Sequence, residues 1–401
     1  MNFKFREKEG ELGEPRTAEL ELETVTLETP VNIHTHSEVK NHQKGYNILP
    51  ARRKDIKIQE CILDLGSQDQ VDREFGSKYS YQLKERIKAL SKPRMRNILH
   101  VRFNPKKVQL SPTQVLNLVK SQKADSQLSM ITIPDPIRDF NEDWKKSLTK
   151  SIEYAKHSIE TGHKAAFMPS VYLEQPKNII KAKVEWLVEQ DIHALAFRGT
   201  GKDIHLKVTM AENIIRESEK SIWLHMFDVS KKIFLEISHS HLLPLLGIDT
   251  ISTRKSFSFS SETKAKDDGS GGDFATPTGI PFKTQQTTKT TNQRLNRDIF
   301  EGEVLGFMNT DEIKHTFGDV LGCTCDLCKQ MGSITNLDES LSSPNRSALV
   351  QVHETHSFLG EFRNIQQSIK DNEVTEYYKE KSMIDNNIIM LKEYYPVLKE
   401  E

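Results

Sequence analysis

The chain has 401 residues, 36% hydrophobic and 28% charged, with 56 Lys plus Arg against 57 Asp plus Glu. A formal net charge of −1 excludes a bulk polycation, but not a local basic face that meets nucleic acid. The length can bury a large core without disulfides. No apolar run approaches the ~20 residues of a membrane span. The charged opening MNFKFREKEG has no apolar signal region, so a cytoplasmic protein with no membrane partner is expected.

In chain order, residues 1–60 read as short β-type segments. Glu19 to Glu28 alternates polar and apolar side chains as a half-exposed strand would. Gln59 to Leu65 is an apolar run ended by Gly66 and Ser67, which suits a buried strand. Arg94 to Phe103 is a further strand. Ser111 to Ser121 reads as a helix with Ser111 as its N-cap and Pro112 at its first position. Leu128 to Ile133 is a strand closed by Pro134-Asp135-Pro136, and Asn141 to Gly162 is a long helical pattern.

Ala165 to Tyr172 is again a strand, Pro176 to Gln190 a helix, and Ile192 to Phe197 a strand ending in Arg198-Gly199-Thr200-Gly201. Val208 to Lys220 is a helix and Ser221 to Phe227 a strand. Ile233 to Leu243 reads as a helix stopped by Pro244. Ile248 to Ser252 is the last short strand. Apolar strands alternating with helices predict a parallel sheet wrapped by helices, and the repeat number predicts a (β/α)8 barrel with its site at the strand C-termini. Ser256 to Gln293, rich in Ser, Thr, Gly, Lys and Gln, is expected to be a flexible insertion, at about 255–300. The predicted organisation is a barrel with N-terminal strands over 1–320, a metal-binding subdomain over 321–370 and a charged C-terminal helix over 371–401.

Three of the four cysteines fall in Cys323-Thr324-Cys325-Asp326-Leu327-Cys328. One tight turn in this spacing presents three sulfurs to one point. A helix that starts near Ser347 can supply the fourth ligand, either His353 or His356. Three thiolates and an imidazole complete the closed tetrahedron of a structural Zn2+ site. Cys61, in a predicted strand, is expected in the core.

These residues resemble the tRNA-guanine transglycosylase superfamily, which includes members that act on DNA. The late Cys-x-Cys-x2-Cys and the helix HETHSFLGEFRNIQQSI are similar to the family's zinc subdomain, and its terminal Ile-x3-Ile pattern places the ligand at His353. Glu28-Thr29-Pro30-Val31 resembles the family's N-terminal Thr-Pro-Val strand. The resemblance implies exchange of a guanine for a 7-deazaguanine base, of the queuosine or archaeosine type, in tRNA or DNA. One Asp attacks the ribose C1′ and a second moves a proton. By resemblance, Asp64 is the proton-transfer or attack-assisting carboxylate and Asp135 the base-binding Asp. Gly199 belongs to the glycine-rich strand end that lets a flat base approach.

The family's last strand reads Gly-x-Asp-x2-Asp, and its second Asp attacks. Here Asp249 matches the first Asp and Ser252 falls on the attacking one. Strand alternation sends these two side chains to opposite faces. Asp249 can therefore replace the missing carboxylate only if the strand slips or bulges. By resemblance, Asp64 and Asp249 are the carboxylates expected to carry any chemistry, with Asp135, Gly199 and Ser252 lining the base pocket. The alternative is a non-catalytic member that binds nucleic acid or pairs with an active subunit, as a homo- or hetero-dimer. An unrelated zinc-stabilised barrel hydrolase would need a second metal-ligand cluster, for which only His225 and Asp228 offer support. Arg52-Arg53-Lys54 and Lys92 to Arg96 are expected phosphate contacts.

Overall fold

A computed structural model describes residues 3–9, 15–22, 25–49, 56, 58–65, 96–103, 128–133, 145, 148–149, 152, 166–190, 192–200, 203–230, 232–233, 237–253, 299–320, 322–341, 346–395 and 398. The expected helix at 111–121, residues 255–298 of the expected insertion, Arg52 to Lys54, and Lys92 to Met95 lie outside the described residues. Of the expected helix over 141–162, residues 145, 148, 149 and 152 are described, and they are helical.

The described chain is mixed α/β around a parallel sheet. Strands β1 (Phe3–Glu9), β2 (Thr17–Leu22) and β3 (Val25–Thr29) form an antiparallel sheet. The single strand expected over Glu19 to Glu28 is thus a hairpin, with Leu20 opposite Leu27 and Leu22 opposite Val25. Folding back lets Leu20 and Leu22, both fully buried, face the inside of the larger sheet.

That larger sheet contains β4 (Val31–Asn32), β5 (His34–Thr35), β6 (Ile58–Leu65), β7 (Arg96–Phe103), β8 (Leu128–Ile133), β9 (Ala166–Tyr172), β10 (Ala194–Arg198), β11 (Trp223–Val229) and β14 (Thr250–Thr253). The order is β4-β14-β11-β10-β9-β8-β7-β6-β5, and every pairing is parallel. The two ends of this order, β4 and β5, are consecutive pieces of chain separated by Ile33 alone. Ile33, Ile58, Ile98, Met168, Ala194, Ala196, Trp223 and Phe227 form one cluster with Leu20 and Leu22. Ile58, Ala194 and Trp223 begin their strands, so the antiparallel hairpin covers the amino-terminal end of the sheet.

Helices Lys177–Glu189 and Ile204–Glu217 pack Ile180, Val184, Leu187, Val208, Ala211 and Ile215 against the outer faces of the strands. Residues 1–60, expected as β segments, also contain the helix His36–Ile48. Its signal is local: Thr35 caps it, its side chain accepting from the Glu38 N–H while Glu38 accepts from the Thr35 N–H.

The helix expected over Ile233 to Leu243 does not form as such. The segment makes short strands β12 (Lys232–Ile233) and β13 (Ile237–Ser238), then the short helix His239–Leu242 and a 3-10 turn Leu243–Leu246 that contains Pro244. β13 pairs with β16 (Gly306–Met308), which pairs with β15 (Ile299–Glu301), and this small antiparallel sheet overrides the local helical pattern.

The helix Arg346–Lys370 runs along the body of the molecule, with Phe358, Phe362, Ile365 and Ile369 in the main core. Its close crossing with helix His36–Ile48 requires Gly45, where a Cβ would sit 2.5 Å from the Ala348 carbonyl oxygen. The charged helix expected over 371–401 is three short ones, Val374–Lys379, Ser382–Asp385 and Ile388–Tyr394. They bury Tyr378, Ile384, Leu391 and Tyr395 in that same core. Among the described residues no helix is long and apolar enough to cross a membrane.

Candidate functional site

Cys323, Cys325 and Cys328 lie on a turn leading into the helix Asp326–Met331, and His353 on the helix Arg346–Lys370. One ligand atom from each lies within 4.8 Å of all the others. His353 Nδ1 is 3.3 Å from Cys328 Sγ and 3.8 Å from Cys325 Sγ. The far side of the ring donates from Nε2 to the Phe300 carbonyl at 2.9 Å, which fixes the tautomer that turns Nδ1 toward the sulfurs. Burial alone would lower the His353 pKa, but the Cys323 and Cys325 sulfurs outweigh it and raise it well above its usual value. The pocket therefore favours a positive charge, which a bound cation would supply in place of the Nδ1 proton. Such an electron-rich, largely buried pocket fits a divalent metal.

His356, the rival ligand, instead approaches the Thr324 hydroxyl at 3.3 Å. Cys61, on β6, is not part of the cluster. Around the cluster, Leu327, Ile334, Leu337, Leu349 and Val352 pack with Tyr46, Leu49 and Ile299. The Tyr46 hydroxyl donates to Asp326 at 2.7 Å, so the cysteine turn is tied to the helix that opens the fold.

The transglycosylase-like positions are spread along the sheet. Asp64 is the penultimate residue of β6, near its carboxyl end. Asp135 lies outside the described residues. Gly199 follows β10 and donates its N–H to the Phe227 carbonyl at 2.7 Å. A Cβ there would meet Val229 Cγ2 at 2.8 Å, so close strand packing by itself requires glycine.

Ser252 sits within β14, fully buried, and its hydroxyl has no hydrogen-bond partner among the described residues. Asp249 precedes β14, so Asp64 and Asp249 are at opposite ends of the parallel sheet. The Asp249 carboxylate accepts from Arg16 Nε at 3.1 Å, Arg16 Nη2 at 2.7 Å and the Leu224 N–H at 2.8 Å. Arg16 also donates to Glu7 at 2.7 Å and to the Ile222 carbonyl at 2.9 Å. This buried fork joins the antiparallel cap to the end of the sheet.

At the carboxyl end, Arg198 spans Asp228 and Glu174, each at 2.9 Å, over the Tyr172 ring. Asp228 holds a φ of 61° where the register between β11 and β14 shifts. It is therefore engaged by Arg198 and does not join His225. His225 instead meets Glu60 and His100, a grouping that sequence reasoning missed. Glu60 and His100 come from the neighbouring strands β6 and β7 and His225 from β11, all far apart in sequence, and only strand alternation offered any signal that they face inward.

No family model matches the chain, and neither does any curated protein. Among solved structures, the carboxyl transferase domain of Rhizobium etli pyruvate carboxylase matches with 11% identity and a TM-score of 0.31. That match covers 89% of this chain and 56% of the other, so this chain spans little over half of its length. A likeness at this level carries no argument about fold or activity.

Proposed function

We propose that the chain is a transglycosylase-like (β/α)8 barrel that has lost the attacking carboxylate. In this reading it serves guanine exchange in tRNA or DNA by binding nucleic acid and pairing with an active subunit. The observation that carries the reading is Ser252. The resemblance puts the attacking Asp there, and this chain has a buried hydroxyl instead. A serine needs a neighbouring base before it can attack, and its hydroxyl has no partner among the described residues. Asp249, the nearest acidic match, already accepts three hydrogen bonds at the other end of the sheet.

Two further features support the reading. The all-parallel order whose ends are β4 and β5 of one continuous segment is what a closed eight-stranded barrel produces. The Cys323, Cys325, Cys328 and His353 donor set is that of a structural Zn2+ site, which adds folding energy and leaves no open position for substrate.

The test is exchange of labelled guanine into tRNA and into duplex DNA, by the protein alone and with a co-expressed catalytic subunit. The expected result is no exchange alone and nucleic-acid-dependent exchange in the pair. Ser252→Asp is expected to give the isolated chain measurable exchange. If the wild-type chain alone exchanges guanine, and Asp64→Asn abolishes it, the chain is an enzyme in its own right and the non-catalytic reading fails.

A further inference from the structure

Inside the parallel sheet, three strands bring three ionisable side chains to one point. Glu60 comes from β6, His100 from β7 and His225 from β11. Glu60 Oε2 lies 3.1 Å from His100 Nε2 and 3.4 Å from His225 Nε2. The two imidazole nitrogens are 3.3 Å apart. All three residues are at most 1% exposed.

Each ring is held from behind. His100 Nδ1 is 2.7 Å from the Thr132 hydroxyl, which is itself placed to donate to the Leu99 carbonyl at 3.5 Å. The threonine oxygen then accepts the Nδ1–H, and the remaining lone pair on Nε2 points at the Glu60 carboxylate. His225 Nδ1 is 2.9 Å from the Thr250 hydroxyl, which already accepts the Trp223 indole N–H at 2.8 Å. Apart from these two imidazole nitrogens, no donor reaches either Glu60 oxygen among the described residues.

A carboxylate and two imidazole nitrogens converging in a dry interior need a positive charge between them, either a shared proton or a metal ion. The spacing selects the cation. A zinc-class ion binds imidazole nitrogen and carboxylate oxygen at about 2.0–2.2 Å, and tetrahedral geometry then separates neighbouring ligand atoms by roughly 3.3–3.5 Å. The three observed separations fall at or just below that range. Metal-bound histidines also characteristically hydrogen-bond through the other ring nitrogen, as both do here.

We propose that Glu60, His100 and His225 form a second metal site, a buried two-histidine, one-carboxylate centre for a zinc-class divalent ion. It is separate from the cysteine cluster in position and in chemistry, because it contains no sulfur. It links β6 and β7 to β11 across the interior of the sheet. The inference does not depend on the transglycosylase-like reading, because it rests on donor geometry alone.

Metal counting on the full chain tests it, with the protein produced in cobalt-supplemented medium so that each site has a spectrum. The wild type is expected to carry two equivalents. Cys325→Ala should keep one, with the thiolate-to-cobalt charge-transfer band gone. His225→Gln and Glu60→Gln should each keep one, with that band intact. Where a variant does not fold, X-ray absorption of the wild type decides. Two sites give about half as many sulfur ligands per metal as the cysteine cluster alone. A wild type with no more than one equivalent, or His225→Gln and Glu60→Gln with the wild-type count, overturns the proposal and leaves a shared proton among the three groups.

Discussion

Replacing Asp249 by Asn should unfold the chain more readily, whatever it does to any activity. The Asp249 side chain is fully buried, and that of Arg16 is 1% exposed. Burial would lower the Arg16 pKa, but Asp249 outweighs it and raises it, so the guanidinium stays charged. Asp249 accepts from three N–H donors, whereas an Asn offers one acceptor oxygen and turns an NH2 toward the others. Removing one partner of a buried ion pair costs about 3–5 kcal/mol, because the remaining charge stays in a poor solvent. Glu7, 2.7 Å from Arg16 and 28% exposed, compensates in part. The expected loss is therefore near the lower end, about 3 kcal/mol, or roughly a hundredfold in the folding equilibrium. Urea denaturation followed by tryptophan fluorescence reads it, since Trp223 is fully buried one residue from Leu224. The double variant Arg16→Met, Asp249→Leu removes both charges and should recover most of the loss. A single Asn variant within about 1 kcal/mol of wild type, or a double variant as unstable as the sum of the singles, would refute the structural role of the pair.

Other outcomes follow from the same structure. Cys325→Ala should release the metal of the cysteine cluster and loosen the helices around it, because metal binding there is coupled to folding. Limited proteolysis should cut first between residues 299 and 341, and unchanged protection would count against a structural metal. Burial, aided by the charge of Lys381, pushes the His241 pKa down to about 3, and burial with His205 pushes His239 down to about 4. Both stay neutral in the folded state where the unfolded chain binds their protons. Stability should therefore fall as pH drops from about 6.5 toward 4, by about 1.4 kcal/mol per pH unit for each histidine. His241→Gln should flatten the slope between pH 6 and 5 by about that amount, and an unchanged slope would reject the assignment. Gly45→Ala should destabilise by about 1–3 kcal/mol, since the new Cβ meets the Ala348 carbonyl and Val352. A thermal shift no larger than that of Gly360→Ala, where nothing lies near the added atom, would show that the crossing relaxes freely.

The sequence by itself determined what depends on near neighbours. Apolar runs at 192–197 and 221–227 marked strands of a parallel sheet because both faces of β10 and β11 are buried there. The cysteine spacing marked a ligand turn because three sulfurs on one tight turn converge without help from the rest of the fold. The Thr35 to Glu38 capping box was equally local, and it announced a helix that the β-type reading of residues 1–60 passed over.

Tertiary structure decided whatever depends on partners far along the chain. Residues 233–243 carry a helical pattern, but pairing with β16, some seventy residues later, turns part of the segment into strand. Asp249 reads as a strand-end carboxylate until Arg16 arrives from the antiparallel cap and engages both of its oxygens. His353 and His356 are both plausible ligands in sequence, and the Phe300 carbonyl behind His353 selects between them. Glu60, His100 and His225 have no sequence spacing in common. They meet because parallel strands, each supplying alternate side chains to the same interior, bring distant residues within 3.1–3.4 Å of one another.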